Sequence, residues 1–443
     1  VKVQGKEGPR IEYVRPFLYP KQIELFYAPE RFVFCEASTK SGKTHSCIVW
    51  LVEMALLHGA PGRNYWWVAP IRSQAKIAYN RIWNASDKRF VKKNESELFI
   101  EFPNGARIYF KSGDNPDALY GEDVYAAVGD EVSRMRYDSY IALRTTLTAT
   151  GGPLRLIANV VGKNNWFYIE CRAVERGREN CKFGKITAQD AVDAGVLDGK
   201  EIKLARQMLP EKEFTQLYLA EAIDDENAFI PSDAVHAAIA RHKTIQGRGA
   251  LILGADPSQG KRDSAAFVLR RGSEVIHVEE HRAMDETGFK GHLIRLIQAY
   301  KPNKVFVDGT GFGTTIVKDM HETHTAFQQL IKPINFASGS LYPDEYCNKR
   351  AEMWGEMRKW LLDENDPVSL PDDAGLAVEL TCINKAPHSS GRLLLESKEN
   401  LLSRGYESTN KADALGLTFA EPVNIVLGQK INYTKKHRSR IIT

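Results

Sequence analysis

No run of eighteen apolar residues occurs in this chain, so no stretch is long and apolar enough to cross a bilayer as a helix. A secretory leader is also not evident, and the expectation is a soluble protein of the cytoplasm without membrane contact. Cysteine is scarce, with 6 in 443 residues, and Cys35, Cys47, Cys171, Cys181, Cys347 and Cys382 form no Cys-x-x-Cys pair. That argues for reduced, buried thiols rather than a disulfide framework or a zinc finger. A strong charge of either sign is missing too. The 60 basic side chains face 56 acidic ones, and a net charge of +4 permits a polyanionic partner without arguing for one. With 43% hydrophobic and 26% charged residues the composition is that of a globular protein, and the length suffices for two domains. His321 with His324, and His277 with His281, match no recognised metal-ligand spacing and are not taken as sites.

Against these absences stands Ala37-Ser38-Thr39-Lys40-Ser41-Gly42-Lys43-Thr44, behind the apolar run Phe32-Val33-Phe34-Cys35 and ahead of a helix expected from Thr44 to Leu57. Strand, glycine-containing loop and helix start together make a phosphate cradle. Gly42 lets backbone N–H groups close on the phosphates, Lys43 reaches the β and γ oxygens, and Thr44 holds Mg²⁺. Ala37 stands where such loops usually carry their first glycine. A second apolar run, Val124 to Gly129, ends in Asp130-Glu131, two carboxylates at the C-terminal end of a buried parallel strand. There Asp130 would hold the Mg²⁺ through water and Glu131 would polarise the water that attacks the γ-phosphate. Acids decorating a helix N-terminus would look the same.

The first half alternates strands and helices: a strand over Tyr65–Pro70, a helix over Ser73–Trp83, a hairpin of Leu98–Phe102 and Arg107–Phe110 about Asn104-Gly105, a helix over Tyr137–Leu147 and a strand over Leu154–Asn159. This is an α/β domain with a parallel sheet. From Lys182 to Glu221 the pattern is helical and charged. Asp224-Asp225-Glu226-Asn227 breaks it, which puts the boundary between a domain of residues 1–225 and one of residues 226–443.

The second half restarts with strands at Leu251–Asp256, Ala265–Arg270, Val275–Val278 and Val305–Asp308. Two of these end in aspartate, Asp256 and Asp308, and Asp413 lies near the start of a final helix, with Asp263 a candidate outer ligand. Carboxylates converging from strand ends suit a two-Mg²⁺ phosphodiester hydrolase. A single aspartate after a strand is also an ordinary turn former. The tail Lys430 to Thr443 is basic, which suits a polyanion or a solvated terminus equally.

The order of these motifs resembles the large terminase subunit of tailed bacteriophages and prophages, over nearly the whole chain. In that resemblance Tyr19-Pro20-Lys21-Gln22 is the adenine-contacting segment, residues Ala37, Ser38, Thr39, Lys40, Ser41, Gly42, Lys43 and Thr44 the Walker A loop, Asp130-Glu131 the Walker B pair and Ile157-Ala158-Asn159-Val160 the coupling motif, with Asn159 left to sense phosphate. Phe214 to Glu221 is similar to the link into the nuclease, and Ser397-Lys398 with Arg404-Gly405-Tyr406 to the run before its last aspartate. The resemblance implies an N-terminal P-loop ATPase domain of the RecA/ASCE type and a C-terminal RNase H-like nuclease holding metals on Asp256, Asp308 and Asp413. It implies ATP and Mg²⁺ as cofactors, with Mn²⁺ able to substitute at the nuclease. It further implies double-stranded DNA, a portal protein of the procapsid and a small terminase subunit as partners, a ring on the portal built from free monomers, and the host bacterial cytoplasm as location. The loop arginine common among relatives is replaced by Thr39 and Lys40, and Arg144 is the substitute cation, in cis or across a subunit boundary. A repair-type helicase-nuclease, or an ATP-gated docking protein with an inactive nuclease fold, are the alternative readings.

Overall fold

The computed structural model describes residues 2–3, 11–223, 227–257, 264–388, 390–404 and 406–423, in two compact units, Val1–Asp224 and Asp225–Thr443. Asp263 and the basic tail lie outside the described residues.

In the first unit a two-stranded ribbon, β1 (Lys2–Val3) and β2 (Ile11–Glu12), precedes an eight-stranded sheet. Its strands in chain order are β3 (Phe32–Ala37), β4 (Asn64–Ala69), β5 (Lys92–Asn94), β6 (Phe99–Glu101), β7 (Arg107–Ser112), β8 (Val124–Asp130), β9 (Leu154–Ala158) and β10 (Cys181–Ile186). The spatial order is β10-β3-β9-β8-β4-β7-β6-β5. Every pair from β10 to β7 is parallel, whereas β6 and β5 add an antiparallel edge. The central strands are apolar throughout because helices cover both faces, and Tyr65, Trp66, Trp67 and Val68 of β4 are all fully buried. The Asn104-Gly105 turn forms as its sequence demands, with Gly105 at φ +81°. One expectation fails here. The stretch from Lys182, expected to be helical, opens with β10 on the sheet edge, where Lys182 and Lys185 interrupt the apolar pattern that would have marked a strand. Gly184 of this strand is needed for close packing, since a Cβ there would lie 2.5 Å from the Leu25 side chain.

The second unit is built on a five-stranded sheet of β11 (Leu251–Asp256), β12 (Ser264–Arg271), β13 (Glu274–Arg282), β14 (Lys304–Asp308) and β15 (Ile331–Ile334), in the order β13-β12-β11-β14-β15. β12 runs antiparallel to both of its neighbours, β13 and β11, whereas β11, β14 and β15 run parallel. That mixed order is the RNase H-like topology. A small ribbon of β16 (Lys385–Ala386) and β17 (Leu394–Leu395) lies beyond it. Helices Glu286–Tyr300 and Phe312–Thr323 pack their apolar sides on one face of the sheet, with Phe267, Phe289, Leu293, Val305 and Ile316 in the shared core. The helix Asn410–Leu417 lies on the other face, and Ile252, Phe306 and Leu417 meet there. Gly254 permits that approach, because a Cβ would fall 1.9 Å from the Ala414 carbonyl oxygen. The strand expected to end at Val278 continues to Arg282; its last residues, Glu279-Glu280-His281-Arg282, are polar and gave no apolar signal. All six cysteines are unpaired, and burial pushes the thiols of Cys47 and Cys171 well up. No described helix is long and apolar enough to cross a membrane.

Candidate functional site

In the first unit, β9 lies between β3 and β8, and all three run the same way. Their C-terminal ends therefore deliver the Ala37–Thr44 loop, Asn159 and Asp130-Glu131 to one edge of the sheet, the position at which open α/β sheets bind ligands. An inserted strand between the loop strand and the acidic strand is the ASCE arrangement.

The loop closes by left-handed residues. Lys40 has φ +59°, and Gly42, at φ +81°, precedes the helix Lys43–His58. Gly42 also leaves room for Gln22, whose Nε2 would stand 2.6 Å from a Cβ there and would have to move. Ser41 is anchored by its hydroxyl to the Ser38 carbonyl at 2.9 Å. Its own carbonyl accepts from Tyr19 Oη at 2.6 Å and from Gln22 Nε2 at 3.3 Å. Gln22 is thus brought to the loop. The free N–H groups at the start of the 43–58 helix, with its dipole, leave an anion-binding end.

Lys43 is 7% exposed and reaches across the strand ends: its Nζ lies 3.1 Å from Glu131 Oε1 and hydrogen-bonds Asn159 Oδ1. Glu131 sits at φ +52°, a conformation that costs a non-glycine residue about 1–3 kcal/mol and is kept where the surroundings demand it. Asp130 is buried, and burial, with the Glu131 charge beside it, pushes its carboxyl up to about 7 against the pull of Lys43. Its Oδ1 has no hydrogen-bond partner among the described residues. A buried carboxylate oxygen left without a donor is costly unless a cation or its water answers it, and these residues fit a Mg²⁺-bound nucleotide. Thr44, at the helix start, is partly exposed toward the same edge.

Arg144 is not brought together with them. Its guanidinium stacks over Phe32, 5.6 Å from the ring centroid, at the opposite end of β3. A six-residue strand separates the ends by roughly 17 Å, which excludes Arg144 as a cation in cis. Contacts the sequence did not reveal come from the helix Glu211–Tyr218. The Leu217 carbonyl accepts from Thr39 N at 2.7 Å, and Gln216 Nε2 donates to the Val160 and Val161 carbonyls at 2.8 and 2.6 Å. One short helix therefore holds both the phosphate loop and the segment after β9.

In the second unit, β11 and β14 are adjacent and parallel, with Ala255 opposite Val307, so Asp256 and Asp308 end neighbouring strands on the same face. That face is the one covered by the 410–417 helix, which carries Asp413. Burial pushes the Asp308 carboxyl up and Asp413 adds to it, while hydrogen bonds from Thr310 N at 2.9 Å and Thr310 Oγ1 at 2.7 Å work the other way. Asp413 differs. Burial opposes its ionisation, yet Arg350 and Lys398 hold it below the usual carboxylate range. Arg350 donates to both its oxygens at 3.1 and 3.2 Å, Trp354 Nε1 to Oδ1 at 2.8 Å and Thr409 Oγ1 to Oδ2 at 2.9 Å. The structure thus brings Asp413 to the same face with both oxygens engaged, so it reaches a metal only by exchanging Arg350. Lys398, exposed at the start of the helix Lys398–Ser403, acts electrostatically on both Asp308 and Asp413 and was not among the expected site residues. Asp256 and Asp308 offer the hard oxygen donors that suit Mg²⁺ or Mn²⁺.

Residues 34–236 match the protein-family profile described as "Terminase large subunit, T4likevirus-type, N-terminal". No curated protein matches the chain. Similar solved structures include the large terminase ATPase domain of Thermus phage P74-26, at 20% identity and TM-score 0.40 over 47% of this chain and 94% of that one. A mutant nuclease domain of the large terminase subunit of bacterial virus Sf6, solved with manganese, has 22% identity and TM-score 0.38 over 44% of this chain and 100% of that one. A large terminase of a thermophilic bacteriophage, solved in complex with ADP, has 13% identity and TM-score 0.41 over 93% and 100%. At TM-scores below 0.5 these likenesses carry no weight beside the family match. Residues 34–236, just under half of the chain, are thus similar to the N-terminal part of the terminase large-subunit family.

Proposed function

We propose that the chain is the motor of viral genome packaging, hydrolysing ATP to move double-stranded DNA through a portal protein into a procapsid, and that its second unit is a two-metal endonuclease that cuts concatemeric DNA. The observation that carries the motor reading is the contact of Lys43 with Glu131 and Asn159 across three parallel strand ends, within the family-matched segment. Lys43 is held by the two residues that would report on the γ-phosphate. A triphosphate is the stronger anion, so Lys43 turns to it and releases Glu131 to orient the attacking water and Asn159 to meet the phosphate. Bound Mg²⁺ would neutralise the phosphate oxygens, and Thr44 and Asp130 are the residues to hold it. In the second unit Asp256 and Asp308 would hold the metals, Asp413 would join them if Arg350 gave way, and Lys398 would meet a DNA phosphate. The helicase alternative needs a second motor sheet, and the mixed order of β11 to β15 does not supply one. Specificity for the viral end would come from a small terminase subunit, and copies of the chain would form a ring on the portal.

The raised Asp130 carboxyl has a measurable consequence. Below about pH 7 Asp130 is protonated in the free protein, whereas a metal-bound nucleotide needs the carboxylate, so binding releases a proton and weakens as pH falls. Calorimetry at pH 6 in buffers of different ionisation enthalpy should show that released proton for Mg²⁺-ATP, and none in Asp130→Asn.

The missing loop arginine leaves the transition state short of a cation, and Arg144 is exposed where a neighbouring copy could use it. The free chain should turn over ATP slowly and be strongly stimulated by procapsids bearing a portal and DNA. Arg144→Ala should lose that stimulation, about 10³-fold if it acts as an arginine finger, with nucleotide binding unchanged. Stimulation intact in Arg144→Ala but abolished in Lys40→Ala would assign the cation to the loop in cis.

A further inference from the structure

We propose that Glu279, His281 and His292 form a binding site for one divalent transition-metal ion, Zn²⁺ by the chemistry of its donors, separate from the nuclease acids. The two-residue period of β13 puts His277, Glu279 and His281 on one face of the sheet edge, turned toward the helix Glu286–Tyr300, which carries His292. One donor atom from each of Glu279, His281 and His292 lies within 4.8 Å of the others. Zn–N bonds of about 2.0–2.1 Å put tetrahedral ligand atoms about 3.4 Å apart, so a small contraction closes the set.

His281 Nε2 is enclosed and has no hydrogen-bond partner among the described residues, standing 3.6 Å from Glu279 Oε2. A second imidazole is close by: the His281 and His292 ring centroids are 4.5 Å apart at 61°. His292 Nε2 bonds Glu279 Oε1, and its Nδ1 accepts from the Arg295 guanidinium at 2.9 Å. Phe267 forms an apolar floor, its ring 4.9 Å from His292 and 6.2 Å from His281, and so limits water from beneath. The fourth position is open to water or to His277, whose Nε2 lies 3.2 Å from Glu279 Oε2.

Cross-strand pairing of Glu279 with Phe267 places this cluster on the face packed by Phe289 and Leu293, whereas Asp256, Asp308 and Asp413 lie under the 410–417 helix on the other face. Two imidazoles and one carboxylate favour Zn²⁺ over Mg²⁺, and the all-oxygen nuclease set has the reverse preference. The ion would tie the edge strand β13 to its following helix. Metal at His292 Nε2 moves the ring proton to Nδ1, where Arg295 can no longer donate. Arg295 is therefore a restraint on binding.

The test is Zn²⁺ titration of the metal-stripped full chain in excess Mg²⁺, followed by X-ray absorption at the zinc edge. The expected result is one Zn²⁺ with imidazole scattering, undiminished in Asp308→Asn, tighter in Arg295→Gln and weakened about 10-fold or more in His281→Gln and His292→Gln. His281→Cys guards against a glutamine variant that fails to fold, since it should retain the ion and add a sulfur ligand to the spectrum. No bound Zn²⁺, an oxygen-only shell, or wild-type affinity in both glutamine variants would show that the cluster is held by hydrogen bonds alone and overturn the proposal.

Discussion

Lys43→Ala is expected to stop ATP turnover while leaving metal-dependent DNA cutting intact. Lys43 is the cation aimed across the strand ends at Glu131 and Asn159, and its removal leaves the charge developing on the transferred phosphate without a counterion. Loss of one such preorganised group slows a reaction by about 10²–10³-fold, and Glu131→Gln, which removes the water-orienting base, by about 10²–10⁴-fold. Glu131→Gln should still bind ATP, and tightly, because Lys43 no longer has an ion pair to leave. A steady-state ATPase assay with nucleotide-binding calorimetry on both variants checks this. Turnover at the wild-type rate in Glu131→Gln would remove that residue from the mechanism.

Asp308→Ala and Asp256→Ala should each abolish plasmid cleavage without changing ATP turnover. A lost metal ligand at a two-metal site costs about 4 kcal/mol of transition-state stabilisation, or about 10³-fold in rate. Asp308→Asn separates function from folding. Burial raises the Asp308 carboxyl, so its ionisation opposes folding above the pH where an unfolded aspartate titrates. An asparagine keeps the oxygen that Thr310 bonds and removes the charge. Asp308→Asn should therefore unfold no earlier than the wild type at neutral pH, yet not cut DNA in Mg²⁺ or Mn²⁺. Arg350→Gln should release Asp413 and alter metal affinity, with ATP turnover unaffected. Cutting by both alanine variants would refute the metal assignment.

The proposed nucleotide site was legible because phosphate binding needs a contiguous loop, and a buried parallel strand writes itself as an unbroken apolar run, as β3 and β8 do. The glycine of the Asn104-Gly105 turn and the terminal acids of β11 and β14 were legible for the same local reason. What the sequence concealed depends on partners far apart in the chain. β10 is an edge strand whose lysines hide its period, and the polar end of β13 reads as loop until Phe267 is seen opposite Glu279. The hold of Leu217 on the Ala37–Thr44 loop, of Gln216 on the segment after β9, and of Arg350 and Trp354 on Asp413, leaves no local pattern. Arg144 looked well placed from its distance along the chain to Asp130-Glu131, yet the helix Tyr137–Thr146 carries it back to the far end of the sheet.

The most direct test of the motor reading is ATP-dependent protection of double-stranded DNA from added nuclease inside portal-bearing procapsids. Wild-type chain and Asp308→Asn should both protect linear DNA, whereas Lys43→Ala and Glu131→Gln should protect none. Protection that persists in Lys43→Ala, or that no ATP concentration elicits from the wild type with its procapsid, would contradict the account.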